Sequence, residues 1–475
     1  MLKNKAFARY AIAFCVLGVI WNFFYSGLQN DQINIIQASS AWNANATMLP
    51  MTIGSLICIV LTMIYGTLFI KFGVRKVLMP CVLLCALGCV GIVVANGVQV
   101  STPDGVMTFL NASTAGYDTS TLPILGNYGL YFISLLVMRC GCMCFQMAGF
   151  QMAASWFIRY RGRALGIITL GSPLFSVVGT TGMTTLIATY WNGDYRPFYV
   201  GVCVLLIIVA ILSWLLLRDY PEDVGLYPDG SDTAPKSERD DSVHLTVKQV
   251  LTKAKSWMLI VNFGAFQFII VAAMASMVTW FMYLCNANWD VVAAANSADP
   301  RFGVMGPMYL FLAQAAKWLS VGAILGIPMS FIFGVIDDKL GTPVACMLMG
   351  ATELLVVIGL WSQAGAVAST GSCSIPMLVM WGFGVACMTG GVPTMHPASL
   401  SFVFGRREYQ SANRVIMAIQ MIPGAVAATI MMALINSGNG NIAWGMCTAI
   451  IVIGLIATIP MFKMKDANAE DRDHA

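Results

Sequence analysis

Apolar runs of about 20 residues recur along this chain, and nothing else in it restricts the fold so tightly. We count twelve, near residues 10–30, 48–70, 77–97, 125–153, 163–189, 197–217, 256–284, 307–333, 343–363, 375–399, 411–435 and 442–462. Each is long enough to cross a hydrocarbon layer as a helix, which takes ~20 residues. Of the 475 residues only 10% are charged and 58% are hydrophobic, whereas soluble domains carry ~25% charge. Lipid must therefore contact most of the exterior. Lipid offers no partner to a free N–H or C=O, so the runs are predicted to be helices. The expected fold class is an all-α membrane protein with twelve transmembrane helices in two six-helix pseudo-repeats.

One long polar stretch interrupts the series. It divides the chain into a first half, 1–217, a solvated linker, 218–255, and a second half, 256–475, that ends in a short tail. With the N-terminus placed inside, 22 of the 26 Lys and Arg residues fall on the inner side. Only Arg196 and Arg301 fall outside, and Arg139 and Lys317 fall within spans. Basic loops stay cytoplasmic, so both termini are expected inside a multi-pass plasma (cell inner) membrane protein. The net charge of +4 is then a topology signal and not a nucleic-acid-binding one. No cleavable signal is expected, because the apolar run after Lys3, Lys5 and Arg9 continues as a full span.

Several functions are excluded. The 14 cysteines lie mostly in apolar runs, where a thiol packs as a small hydrophobe. Cys140, Cys142 and Cys144 have no histidine beside them, so no metal is expected. His244 and His474 lie in the linker and tail, and His396 stands alone near the inner end of span ten, so no catalytic cluster and no enzyme is expected. No phosphate-binding Gly-x-x-x-x-Gly-Lys-Ser/Thr run occurs, so neither ATP nor any other cofactor is expected.

The halves carry related loops. Gly66 to Gly73 after span two and Gly334 to Gly341 after span eight each pair glycines seven apart with a lysine two before the second. The first copy, with Gly66, Leu68, Lys71, Gly73, Arg75 and Lys76, resembles the loop between spans two and three of the major facilitator superfamily. Ile70 stands where that family has an aspartate that helps latch the halves. The second copy keeps an acid, Asp338. Trp156-Phe157 with Arg161, Gly162, Arg163, Ala164 and Gly166 is similar to a signature of oxalate/formate antiporter-like and monocarboxylate transporter-like proteins. So are Pro221 to Gly230 and Phe404-Gly405-Arg406-Arg407. The resemblance implies transport of an organic anion by alternating access, with a site between the halves lined by spans one, four, seven and ten. Gly66, Gly73, Arg75, Lys76, Arg161, Gly162, Gly334, Asp338 and Gly341 are then the gating loops.

A charge inside a span costs several kcal/mol and so marks a candidate site. Arg139 in span four offers a planar fork that grips a carboxylate with two hydrogen bonds. Lys317 in span eight, with Gln314 one turn before it, either supplies a second cation or snorkels outward. Glu353 in span nine is a proton-coupling candidate or a packed neutral acid. Asn22, Tyr25, Gln146, Gln267, Trp381 and Gln420 lie at similar depth and would complete a pocket, or join helices to one another. Asp31 is expected at the outer mouth of span one. The chain is expected to act as a monomer that moves a small mono- or dicarboxylate by exchange or with protons. The alternatives are a drug or amphipath (for example sterol-acid) exporter of the same fold and a solute sensor that does not transport.

Overall fold

The computed structural model describes residues 5–28, 44–95, 100–102, 105–107, 127–175, 190–191, 194–231, 245–298 and 300–467. The helices are α1 (Lys5–Ser26), α2 (Ala44–Phe72), α3 (Val74–Ala95), α4 (Tyr128–Trp156), α5 (Arg161–Thr169, followed by Gly171–Phe175) and α6 (Arg196–Leu216). The second set is α7 (Ala254–Ala287), α8 (Pro300–Leu340), α9 (Thr342–Trp361), α10 (Ile375–Arg406), α11 (Glu408–Asn436) and α12 (Gly440–Thr458). Among the described residues eleven helices are long and apolar enough to cross a membrane. The fifth expected span is described only as far as Phe175, and its remainder lies outside the described residues, as does Asp31. A short antiparallel ribbon, β1 (Val100–Thr102) with β2 (Gly105–Met107), lies between α3 and α4 and is a local departure from an otherwise helical chain.

Helix α8 exceeds expectation. At 41 residues α8 is about 60 Å long, roughly twice a hydrocarbon core, so turns before the predicted 307–333 stand beyond it. Helices α10 and α11 follow each other with no loop, joined through Gly405 at φ +68°, a left-handed conformation open to glycine.

Apolar side chains cover the outside, among them Leu87 and Val94, each 64% exposed, as lipid requires. Small residues let helices meet closely inside. A side chain on Gly141 of α4 would lie 2.6 Å from the Cys81 carbonyl of α3. The Cys89 thiol meets the Met138 sulfur at 3.6 Å across the same seam, so these cysteines pack. Helices α1–α6 pack with one another, as do α7–α12; the two sets meet where α2 crosses α11, α4 and α5 meet α10, and α5 crosses α8.

The loops α2–α3, α4–α5 and α8–α9 and the α10–α11 elbow share one end of the bundle, the basic end. The stretch after α6, expected to be solvated, is in part docked there. Asp229 is buried and accepts the backbone N–H groups of Ile158 (3.0 Å) and Arg159 (2.6 Å), which ties this stretch under the α4–α5 turn. Asp219 accepts the Arg75 N–H (2.9 Å) at the start of α3. Burial holds both carboxyls above the ordinary carboxylate value despite these donors. An acid raised on folding binds more protons folded than unfolded, so stability falls as pH rises through the interval above the unfolded value. Asp229→Ala, which strands the buried Ile158 N–H and the half-buried Arg159 N–H, is expected to cost about 2 kcal/mol. Asp229→Asn keeps an acceptor, and is expected to cost less and to flatten the fall in stability as pH rises above the unfolded carboxylate value, read by fluorescence-monitored thermal unfolding from about pH 4 upward.

Candidate functional site

Arg139 is 3% exposed, and its Nη2 donates to Ser55 Oγ of α2 at 2.8 Å. Close approach of α2 makes this possible: a side chain on Gly54 would strike the Arg139 Cδ at 2.9 Å. Tyr25 of α1 and Tyr131 of α4 lie within electrostatic reach of the guanidinium. Arg139 and Phe150 are eleven residues, three turns, apart and share a face of α4. Phe150 meets His396 of α10 (ring centroids 6.3 Å), so this face looks toward the second set of helices. Half-buried Gln146 lies between them on the same helix.

The other candidates scatter. Asn22 is 1% exposed, donates to its own helix at Gly18 O (3.1 Å) and packs near Gly149, which is a joint inside the first set. Trp381 is fully buried and backs onto Gly359 of α9, away from α4. Gln267 and Gln420 both lie at the crossing of α7 and α11, where Gln267 Cγ lies 2.9 Å from a side chain placed on Gly424 and the Gln420 backbone faces Gly264. Glu353 is fully buried on α9, which packs on α7, α8, α10 and α12, and its carboxyl oxygens have no hydrogen-bond partner among the described residues.

Lys317 is exposed, and its ammonium lies 5.9 Å from the Trp318 ring. Seven-residue steps place it on one stripe with Ile324 (50% exposed) and Phe331 (42%), the outward-facing side of α8. The face of α8 that meets α5 carries Ser330 and Gly334 instead. The structure therefore does not bring Lys317 to Arg139. The side chain of Gln314 lies outside the described residues.

At the basic end the two helix sets interlock through a second group of residues. Asp338 accepts the N–H groups of Gly162 (2.9 Å) and Arg163 (3.2 Å) at the first turn of α5 and pairs with Arg163 Nε at 3.2 Å. A helix N-terminus favours such an acid. Gly162 and Gly334 face each other with no room for a side chain on either. Thr169 and Thr394 share a hydrogen bond of 2.7 Å between α5 and α10, and Arg161 Nη1 donates to Ser401 Oγ at 3.0 Å. Arg414 of α11 donates to Thr67 Oγ1 (2.9 Å) and to the Leu245 carbonyl (3.0 Å), while its Cβ presses on Gly66. Arg406 grips Glu222 at 2.6 Å. Beside Gly73, Asp219 serves the start of α3 from another part of the chain. Sequence reasoning flagged Gly162, Asp338 and Arg161 but missed Ser55, Tyr131, Asp219, Thr394, Ser401 and Glu222. Of these only Glu222 carried a signal, within the Pro221–Gly230 stretch.

Comparison with solved structures agrees with this architecture. The proton:xylose symporter XylE bound to 6-bromo-6-deoxy-D-glucose aligns over 98% of this chain and 100% of its own, at 14% identity and a TM-score of 0.60. The E. coli fucose:proton symporter FucP aligns over 95% and 99%, at 11% identity and a TM-score of 0.59. FucP in the outward conformation aligns over the same shares at 13% identity and a TM-score of 0.54. Curated proteins give no match. The family model of the Major Facilitator Superfamily matches residues 6–428, through both helix sets and the interlocked loops between them. By that match and this arrangement of helices, the chain belongs to the Major Facilitator Superfamily of multi-pass membrane transporters.

Proposed function

We propose that this transporter carries a small organic anion with one carboxylate, by rocking residues 1–217 against 256–475. Arg139 carries the reading. A guanidinium is buried in α4, bonded to Ser55 of α2 and within electrostatic reach of two tyrosines, three turns along the helix from the Phe150 contact with the second set. A cation in low dielectric attracts an anion far more strongly than it does in water. With Lys317 turned outward, one fixed charge faces the substrate, which favours a monocarboxylate over a dicarboxylate. The motifs shared with oxalate/formate antiporter-like and monocarboxylate transporter-like proteins support the same class. The basic end is cytoplasmic in this reading, so the interlocked loops close the inner gate.

Counterflow in proteoliposomes tests it. Vesicles preloaded with formate, lactate or oxalate, and in parallel with xylose or fucose, are assayed for entry of the labelled solute. Saturable entry of a monocarboxylate is expected, with Lys317→Gln within about twofold of wild type, as for an exposed snorkelling lysine. Entry of the sugars alone would replace the anion reading with neutral-solute proton symport, the activity named for XylE and FucP. Glu353, buried away from Arg139, is the candidate proton carrier for that second reading, and Glu353→Gln would then lose uphill uptake while keeping counterflow.

A further inference from the structure

We propose that the inner gate contains a second carboxylate site, built on Arg161, which the anion meets between Arg139 and the cytoplasm. The proposal rests on the organic-anion reading above. Arg161 is 1% exposed, yet only its Nη1 has an acceptor, Ser401. Its Nε and Nη2 have no partner among the described residues. These two N–H groups lie along one edge of the guanidinium, at the spacing of the two oxygens of a carboxylate.

The surroundings suit an anion rather than a packed seam. Tyr409 of α11 lies within electrostatic reach of Arg161. Its hydroxyl, Ser399 Oγ and both ends of the Gln410 and Asn413 side chains have no hydrogen-bond partner among the described residues. Each of these residues is at most 5% exposed. They flank the elbow at Gly405, on the two helices that meet α4, α5 and α2. Leaving one buried polar group unmade costs about 1–3 kcal/mol. Apolar residues would seal a gate at no such cost, so the layer is explained by something polar that passes through it. The nearby acids do not fill the Arg161 edge. Asp338 is held by the first turn of α5 and by Arg163, and Asp337 lies buried beside Gly162.

The spacing makes the two sites successive. Arg139 to Phe150 is about 16 Å along α4, and His396, opposite Phe150, to Ser401 is about 7 Å along α10. One small carboxylate cannot touch both arginines. It would leave Arg139, pass His396 and be received by Arg161 as α5 and α8 part.

The test compares the two faces of the membrane. Half-saturating concentrations of labelled formate and lactate are measured in right-side-out and inside-out vesicles for wild type, Arg161→Gln, Arg161→Lys and Asn413→Ala. Arg161→Gln is expected to raise the cytoplasmic value about tenfold, the scale of losing hydrogen bonds to a charged group, while the external value stays within about twofold. Arg161→Lys is expected to recover only part of this, because an ammonium has no fork. Asn413→Ala keeps the cation and is expected to raise only the cytoplasmic value, about threefold, as for one lost neutral hydrogen bond. Equal changes on both faces, or none, would overturn the site and leave Arg161 as a clamp between the halves. An unchanged Asn413→Ala beside an Arg161→Gln that fails to assemble would overturn it too. If wild type carries neither acid from either face, the organic-anion reading falls and this site falls with it.

Discussion

Arg139→Gln is expected to lose monocarboxylate counterflow by at least about thirtyfold, with the protein still inserted and monodisperse. Removing one partner of a buried charge pair costs about 2–5 kcal/mol, and 1.4 kcal/mol is a factor of ten. Arg139→Lys should retain a small part of the activity, since lysine restores the charge without the planar fork. The variant also loses the tie to Ser55, so a control is needed. Ser55→Ala removes that tie alone and is expected to keep activity within about threefold, one neutral hydrogen bond. Full counterflow in Arg139→Gln would reduce the arginine to a strut between α2 and α4.

Gly162→Val is the second large effect. A Cβ there would lie 2.5 Å from the Gly334 carbonyl, 2.6 Å from Asp337 Oδ2 and 2.8 Å from Asp338 Oδ1. Two of those contacts belong to backbone or to a buried acid, so neither can simply swing away. Overpacking of this kind costs about 1–3 kcal/mol in the state that makes the contact. In the proposed transport cycle that state is the one with this end closed, and its population relative to the open one is expected to fall about 5- to 150-fold. Turnover is expected to drop by at least about tenfold, with faster hydrogen exchange at residues 399–413. Turnover within twofold of wild type, with exchange unchanged, would show that closure does not need this contact.

The spans were legible because lipid admits so few solutions: an apolar run of the right length has to be a helix. The charge at Arg139 was legible for the same reason, as an expense needing a cause. Phase around the helix was harder to read. Lys317, Trp381 and Asn22 had the right depth, but depth leaves the direction open, and each side chain points to lipid or to a neighbour within its own helix set. The α8 stripe of Lys317, Ile324 and Phe331 could have been noticed as outward from its seven-residue repeat of lipid-facing apolar residues. The gate was half legible. Glycines facing glycines and an acid opposite a helix start leave a motif, whereas Ser401 beneath Arg161 and Asp219 beneath α3 are pairings across more than a hundred residues that no local pattern announces.

The elbow at Gly405 has a mechanical meaning. Helices α10 and α11 run into each other through one residue, with no slack between them. One arm carries Ser401 and Thr394 against α5, and the other carries Arg414 against α2. A rotation that lifts the first arm must displace the second in the same stroke. Two fastenings on opposite sides of this end are therefore expected to release as one event, giving the proposed gate a single threshold where two independent catches would have given it a half-open state.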